Sequence, residues 1–244
     1  MGDDAGGGAG RRDRARGAFA EPRRARRLPA ARQFRGLRGR RRRKPGSHSL
    51  LCRRESRPAD GRGRCALGAL VECVPNFSEG RRLDVITAIA DAIKSAGARV
   101  IDVQADAAHN RMVVTFVAEP ALAVDAAMAG AAVATERIDL RHHRGEHPRM
   151  GAIDVVPFVP FADLPMSICV DLAHDFGARL WKELHVPVYY YGEAARLDER
   201  RELEKVRRGG YEDLVSHITE PDRAPDEGTP EVNPSAGATA VGAR

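Results

Sequence analysis

A chain of 244 residues holds one large domain, or one domain with tails. It has nothing near the ~18 consecutive apolar residues of a membrane span and no basic, apolar and cleavage regions in the order of a secretory signal. The net charge of +6 averages two unlike parts: residues 1–68 hold 21 Lys+Arg against 6 Asp+Glu, net +15, and residues 69–244 hold 19 against 28, net −9. The basic average therefore describes a cationic extension on an acidic body, not a nucleic-acid-binding domain. The four cysteines, Cys52, Cys65, Cys73 and Cys169, form no C-x-x-C pair, which excludes a zinc framework and a disulfide scaffold and fits a reducing, cytoplasmic compartment.

In chain order, residues 1–68 are rich in Arg, Gly, Ala and Pro with few large apolar side chains, so they are expected to be a disordered, solvated extension. The run "RGRRRRKP" at Arg38–Pro45 would draw phosphates by counterion release, without the aromatics that stacking needs, so no specific nucleic-acid partner is expected. The body opens with "ALVECVP" (Ala69–Pro75), a short apolar run that reads as a strand, and "NFSEGRR" reads as a turn with Ser78 as helix cap. Leu83, Ile86, Ile89, Ala90 and Ile93 recur at helical spacing and predict a helix over Arg82–Ala96, stopped by Gly97. "ARVIDVQA" and "RMVVTFVA" are the second and third strands, separated by the turn "DAAHN".

Pro120 suits a helix start, and the Ala-rich segment to Ile138 predicts a second helix packed closely on a sheet. "AIDVVPFVP" is a fourth strand, Met166–Leu184 a third helix, "VPVYYYG" a fifth strand and Leu197–Arg208 a charged helix ended by Gly209 and Gly210. The order is β-α-β-β-α-β followed by α-β-α. It predicts an α/β (α+β) fold: a ferredoxin-like core extended by a further α-β-α, with helices packed on a mixed sheet. Residues 221–244, rich in Pro, Gly and Ala without periodicity, read as a linker after a domain spanning 69–220.

The chemistry concentrates in "HHRGEHPRMGAIDVVPF", where His142, His143 and His147 fall within six residues and an apolar strand follows. Histidine has the ordinary pKa that suits proton transfer at neutral pH, and Arg149 could grip a carboxylate through both its arms. A solvated loop and a metal site on the three histidines are the competing readings; adjacent His142 and His143 tend to point apart in an extended chain, which disfavours the metal. "HNR" at His109–Arg111 and "VPNFSEG" around Asn76 and Ser78 are either ligand contacts or turn and cap residues. Glu193, just past a strand end, could pair with an amidine or with backbone N–H groups of the next helix. Nothing in the sequence places these turns on one rim.

Together, "LVECVPNFSEG", "HNR", "GEHPRMGAIDVVPF", "VPVYYYGEAAR", "RRGGYE" and "PSAGATAVGAR" resemble glutamate formimidoyltransferase (formiminotransferase) over most of Leu70–Arg244. The resemblance implies transfer of a formimino group from N-formiminoglutamate to tetrahydrofolate, a co-substrate, in histidine degradation, with no metal. It implies a fold of two α/β subdomains whose sheets face each other around folate, of which this chain holds the first; the partner is then a second such subdomain, and a homodimer is one assembly it allows. His147 falls on the family's catalytic histidine. The folate-binding loop falls on Gly228, Thr229, Pro230, Glu231, Val232, Asn233, Pro234, Ser235, Ala236 and Gly237, matched in kind at Gly228, Pro234, Ser235 and Gly237. Asn76, Asn110, Arg111 and Arg149 become substrate-binding candidates, with Glu146 tuning the imidazole. Gln104 stands where the family often has an acid. Alternatives to catalysis are a folate-binding fragment and a polyanion-binding protein acting through the basic extension.

Overall fold

The computed structural model describes residues 69–244; the expected extension and its arginine run lie outside the described residues. The first elements of the described residues are two short strands, β1 (Val71–Cys73) and β2 (Asn76–Phe77), where the sequence predicts one strand and a turn. Pro75 has no N–H for a ladder, so the pairing breaks there, yet its carbonyl still accepts from the Val114 N–H at 3.0 Å. Phe77 is pinned in the core at 1 % exposure, which draws the supposed turn into the sheet. Both strands lie between β4 (Arg111–Ala118) and β5 (Ile153–Pro160), antiparallel to each, and β3 (Arg99–Asp106) pairs with the far side of β4. This is the split β-α-β arrangement expected of the first six elements.

The three long helices follow their periodicity. In α1 (Leu83–Ser95) the buried stripe is Val85, Ile86, Ile89 and Ile93. The turn leading into it is held by Glu79, whose Oε1 accepts the N–H groups of Arg81 and Arg82, both at 2.9 Å, and no side chain caps the first turn itself; Ser78, the expected cap, instead donates from Oγ to the Gly151 carbonyl at 2.7 Å. Helix α2 (Pro120–Arg137) buries its small residues, and a Cβ added to Gly130 would lie 2.8 Å from Ile93 Cγ1, so the glycine is what lets α1 and α2 close up. Helix α3 (Met166–Leu184) lays Cys169, Ala173, Phe176 and Leu180 on β5 and its neighbours. Burying each large apolar side chain of this layer contributes about 1.5–3 kcal/mol.

Two expectations fail in the last third. The charged segment Leu197–Arg208 is not one helix: a 3₁₀ turn at Asp198–Arg200 precedes a single turn, α4 (Leu203–Val206). Gly209, at φ 79°, then starts α5 (Gly210–His217). Val206, at 8 % exposure, is the only buried residue of α4, too narrow an apolar stripe to hold a longer helix on the sheet. The presumed linker contains β7 (Thr239–Ala243), a buried strand parallel to both β5 and β6 (Val188–Gly192), between which it lies. Its Thr, Gly and Ala composition hides it because a strand covered on both faces does not alternate. Small residues are required there: a Cβ on Gly242 would lie 2.5 Å from the Tyr191 ring.

The result is a mixed seven-stranded sheet with α1, α2 and α3 on one face. On the other face α4 and α5 cover only β5, β6 and β7, through Val206, Leu214 and Ile218 against Val155, Tyr189, Tyr191 and Ala240. Among the described residues, no helix covers the remainder of that face.

Candidate active site

The open face is shaped by strand alternation. Along β4, Met112, Val114, Phe116 and Ala118 turn to the helices, while Arg111 and Val113 turn outward and line two adjoining clefts. One, of about 460 Å³, runs over Glu72, Val74, Asn76, Val155, Pro157, Val159, Tyr191, Leu203 and Arg207. The other, of about 380 Å³, runs over Gln104, Ala105, Asp106 and His109 to His147.

Arg111 and Val113 line both clefts, and His147 lines the second, next to Arg207 of the first. Its ring lies edge-on to His109, 6.1 Å between centroids, and its Nε2 lies 3.3 Å from Arg207 Nη2. Partial burial, then the charges of Arg111 and Arg207 and the neighbouring His109, lower its pKa to about 4, so the imidazole is neutral at pH 7. The same Arg207 nitrogen donates to the Pro148 carbonyl and to Asp154 Oδ2, while Asp154 Oδ1 accepts the Met150 N–H at 2.9 Å. Asp154 is 2 % exposed; burial pushes its carboxyl up, and Arg207, the Met150 N–H and Arg111 pull it back. Arg111 donates to Asn76 Oδ1, and Asn76 Nδ2 donates to the Val74 carbonyl at 2.8 Å. Asp106 accepts from His109 Nδ1 at 2.9 Å; the backbone N–H of His109, then its ring, hold the Asp106 carboxyl below its usual range.

The expected residues thus divide. Asn76, Arg111 and His147 share the open face. Asn110 does not join them: at φ 49°, its side chain accepts from the Gly80 N–H at 2.9 Å and donates to the Arg144 carbonyl at 3.0 Å, tying two loops together. Arg149 has both arms on Glu212, at 2.8 and 3.5 Å, so its fork is already filled. No hydrogen bond joins Glu146 to the imidazole among the described residues. Glu193 pairs with Arg201 at 2.7 Å. The three histidines of the loop go to three partners: His142 lies 3.9 Å from Asp139, His143 Nε2 contacts the Asn110 carbonyl at 2.9 Å, and His147 faces Arg207.

The loop from Gly228 to Gly237 lies outside both clefts. Gly228 packs against Trp181, Val232 against the apolar cluster below α5, and Thr229, Pro230 and Glu231 are exposed. Asn233 Oδ1 accepts from the Ser235 and Ala236 N–H groups at 3.2 and 2.9 Å, and the Pro234 carbonyl accepts from Tyr211 Oη at 3.3 Å. Gly237 needs its φ of 69°, and a Cβ there would meet the Met150 carbonyl oxygen at 2.3 Å. Ala236 and Ala238 bracket the base of the His147 loop through hydrogen bonds to Ala152 and Met150, at 2.8 and 3.0 Å.

Residues 70–244 match the family described as the formiminotransferase domain, N-terminal subdomain. The chain belongs to the formiminotransferase family. A formimidoyltransferase-cyclodeaminase of Gallus gallus is 51 % identical over 179 residues, 73 % of this chain and 33 % of that protein. A glutamate formimidoyltransferase of Thermoplasma acidophilum is also 51 % identical over 179 residues, 72 % of this chain and 59 % of that protein. A formiminotransferase cyclodeaminase-like protein of Arabidopsis thaliana is 31 % identical over 189 residues. The chain therefore spans about a third to three fifths of the length of these relatives. In this formiminotransferase subdomain, Arg207 and Asp154 are the site residues that sequence reasoning missed. Their one trace was membership of the strings "RRGGYE" and "GAIDVVPF"; nothing in their spacing joins them to His147.

Proposed function

We propose that the subdomain carries the proton-transfer group for moving a formimino unit from N-formiminoglutamate to tetrahydrofolate, a step of histidine degradation in the cytoplasm. One observation carries the reading: a neutral imidazole, His147, stands on the uncovered face of the sheet between two arginines, in a chain of this family. The amine N5 of tetrahydrofolate attacks the amidine carbon and a tetrahedral intermediate forms. The attacking nitrogen loses a proton, and the glutamate nitrogen gains one as its bond to that carbon breaks. A neutral imidazole takes the first proton and returns it in the second step. Arg111, beside it on the same face, supplies a cation suited to a substrate carboxylate.

The open face is the surface against which a second formiminotransferase subdomain would hold folate, with the loop from Gly228 to Gly237 as a folate contact at its edge. Placing two substrates together there supplies the larger part of the acceleration. The test follows formimino transfer by absorbance, with the chain alone and with a separately produced second subdomain, for the native chain and His147→Ala. Turnover in the mixture that collapses in the variant, with folate still bound, supports the reading. Equal loss of turnover and folate affinity, or a variant that turns over normally, overturns it. Folate bound by the native mixture without any turnover would instead favour the folate-binding fragment.

A further inference from the structure

The Asp154–Arg207 pair has no part in the transfer as derived above, yet it is the most buried charge pair touching the site. Asp154 is 2 % exposed and the Arg207 side chain 18 %. Its placement is built into the sheet: Asn76 pairs with Val155 and Phe77 with Ile153, two steps on β5 for one on β2, so Asp154 is the extra residue of a β-bulge. Such a bulge re-aims a side chain out of the alternating pattern. Asp154 is thereby turned to Arg207, which follows α4 and comes from 53 residues further along the chain.

Arg207 Nη2 has two hydrogens and three acceptors around it: Asp154 Oδ2, the Pro148 carbonyl and, at 3.3 Å, His147 Nε2. A proton on Nε2 would point at a guanidinium that has only donors. The ring therefore keeps its proton on Nδ1, for which no protein partner occurs among the described residues. Pro148 is the next residue in the chain, so the bond to its carbonyl also holds the backbone of the histidine loop. The other titratable and charged groups facing the imidazole are Arg111 from β4, and His109 with its partner Asp106 from the β3–β4 turn; Glu146 precedes it on its own loop.

We propose that Asp154 and Arg207 are positioning residues: the bulged carboxylate clamps the guanidinium, and the guanidinium holds His147 in the neutral, Nδ1-protonated form with Nε2 as the proton-accepting atom. Nε2 then accepts a proton only when Arg207 gives way. A substrate carboxylate, which a guanidinium grips in preference to a ring nitrogen, is the chemistry that would draw it off. Arg207 thus links arrival of an anionic substrate to release of the base.

The test reads the ring nitrogens of His147 by long-range nitrogen–proton NMR on the 244-residue chain, its signals assigned by their loss in His147→Gln. The native chain is expected to carry the neutral-form proton on Nδ1. Arg207→Met is expected to populate both tautomers and to raise the titration midpoint by about one unit, a tenfold gain in proton affinity. Arg207→Lys keeps the charge without the fork, so the midpoint stays near the native value while the tautomers mix. Asp154→Asn is expected to mix them as well. Should Arg207→Met unfold, Arg207→Lys and Asp154→Asn give the same reading.

In the reconstituted transfer assay, which alone rests on the proposed activity, the acid limb of the kcat/KM profile moves with the NMR midpoint in Arg207→Met and not in Arg207→Lys. A native Nε2 proton, or variants that fold and leave the tautomer unchanged, overturns the proposal. The NMR result stands or falls independently of turnover, so failure of the transfer reading and failure of the positioning pair are told apart.

Discussion

The face of the sheet under α1, α2 and α3 and the face that carries His147 draw alternate residues from the same strands. On β4, Phe116 is wholly buried beneath helices, whereas Val113, three residues earlier, looks onto open cleft. The helix-covered face is filled with Ile89, Ile93, Phe116, Phe158, Phe176 and Leu180, all without measurable exposure, and supplies the cohesion of the fold. The other face is lined with Asn76, Arg111, His147 and Arg207, and among the described residues no helix covers it over β1, β2 and β4. Cohesion and chemistry are separated by a single residue step along the strand, so the two can be perturbed independently.

The sharpest way to break that separation is at its chemical end. His147→Ala is expected to lower turnover of the reconstituted enzyme by roughly 10²- to 10⁴-fold while changing unfolding free energy by no more than about 0.5 kcal/mol; kinetics and urea titration of one preparation decide it. The opposite experiment is Phe158→Ala, expected to cost about 3–5 kcal/mol, against under about 1.5 kcal/mol for Val113→Ala on the open face. Similar losses at the two sites would mean that the faces are not distinct in packing.

Gly237→Ala probes the support of the His147 loop, because the added Cβ meets the Met150 carbonyl at the base of that loop. A destabilisation of roughly 1–3 kcal/mol is expected from the strained conformation alone, and turnover should fall with it as the loop shifts.

The smallest effect is in pH. The folded imidazole is held at about 4 against about 6.5 in the unfolded chain, so as pH falls through that window the unfolded state binds the proton first. Stability is therefore intact above about pH 6.5 and declines toward pH 4. The partly exposed ring keeps the change below what the full displacement would give. The urea midpoint should drop less between pH 7 and pH 5 in His147→Gln than in the native chain; an identical drop would place the titrating group elsewhere.

The sequence by itself determined the long helices α1, α2 and α3, because their apolar spacing and their proline and glycine boundaries are local properties that neighbours reinforce. It also determined the family, through strings spread over the whole of 70–244. Tertiary structure decided the rest. A strand of Thr, Ala, Val, Gly and Ala has no pattern of its own and became β7 only because two parallel neighbours and the Tyr191 ring left room for nothing larger. The partners of Asn110 and Arg149, which are Gly80, Arg144 and Glu212, were likewise illegible, since a side chain's hydrogen-bonding capacity is visible in sequence and its partner is not. The contact between Arg207 and His147 spans 60 residues and passes through a bulge on a third element. No periodicity encodes such a meeting; it exists only once the strands are in register.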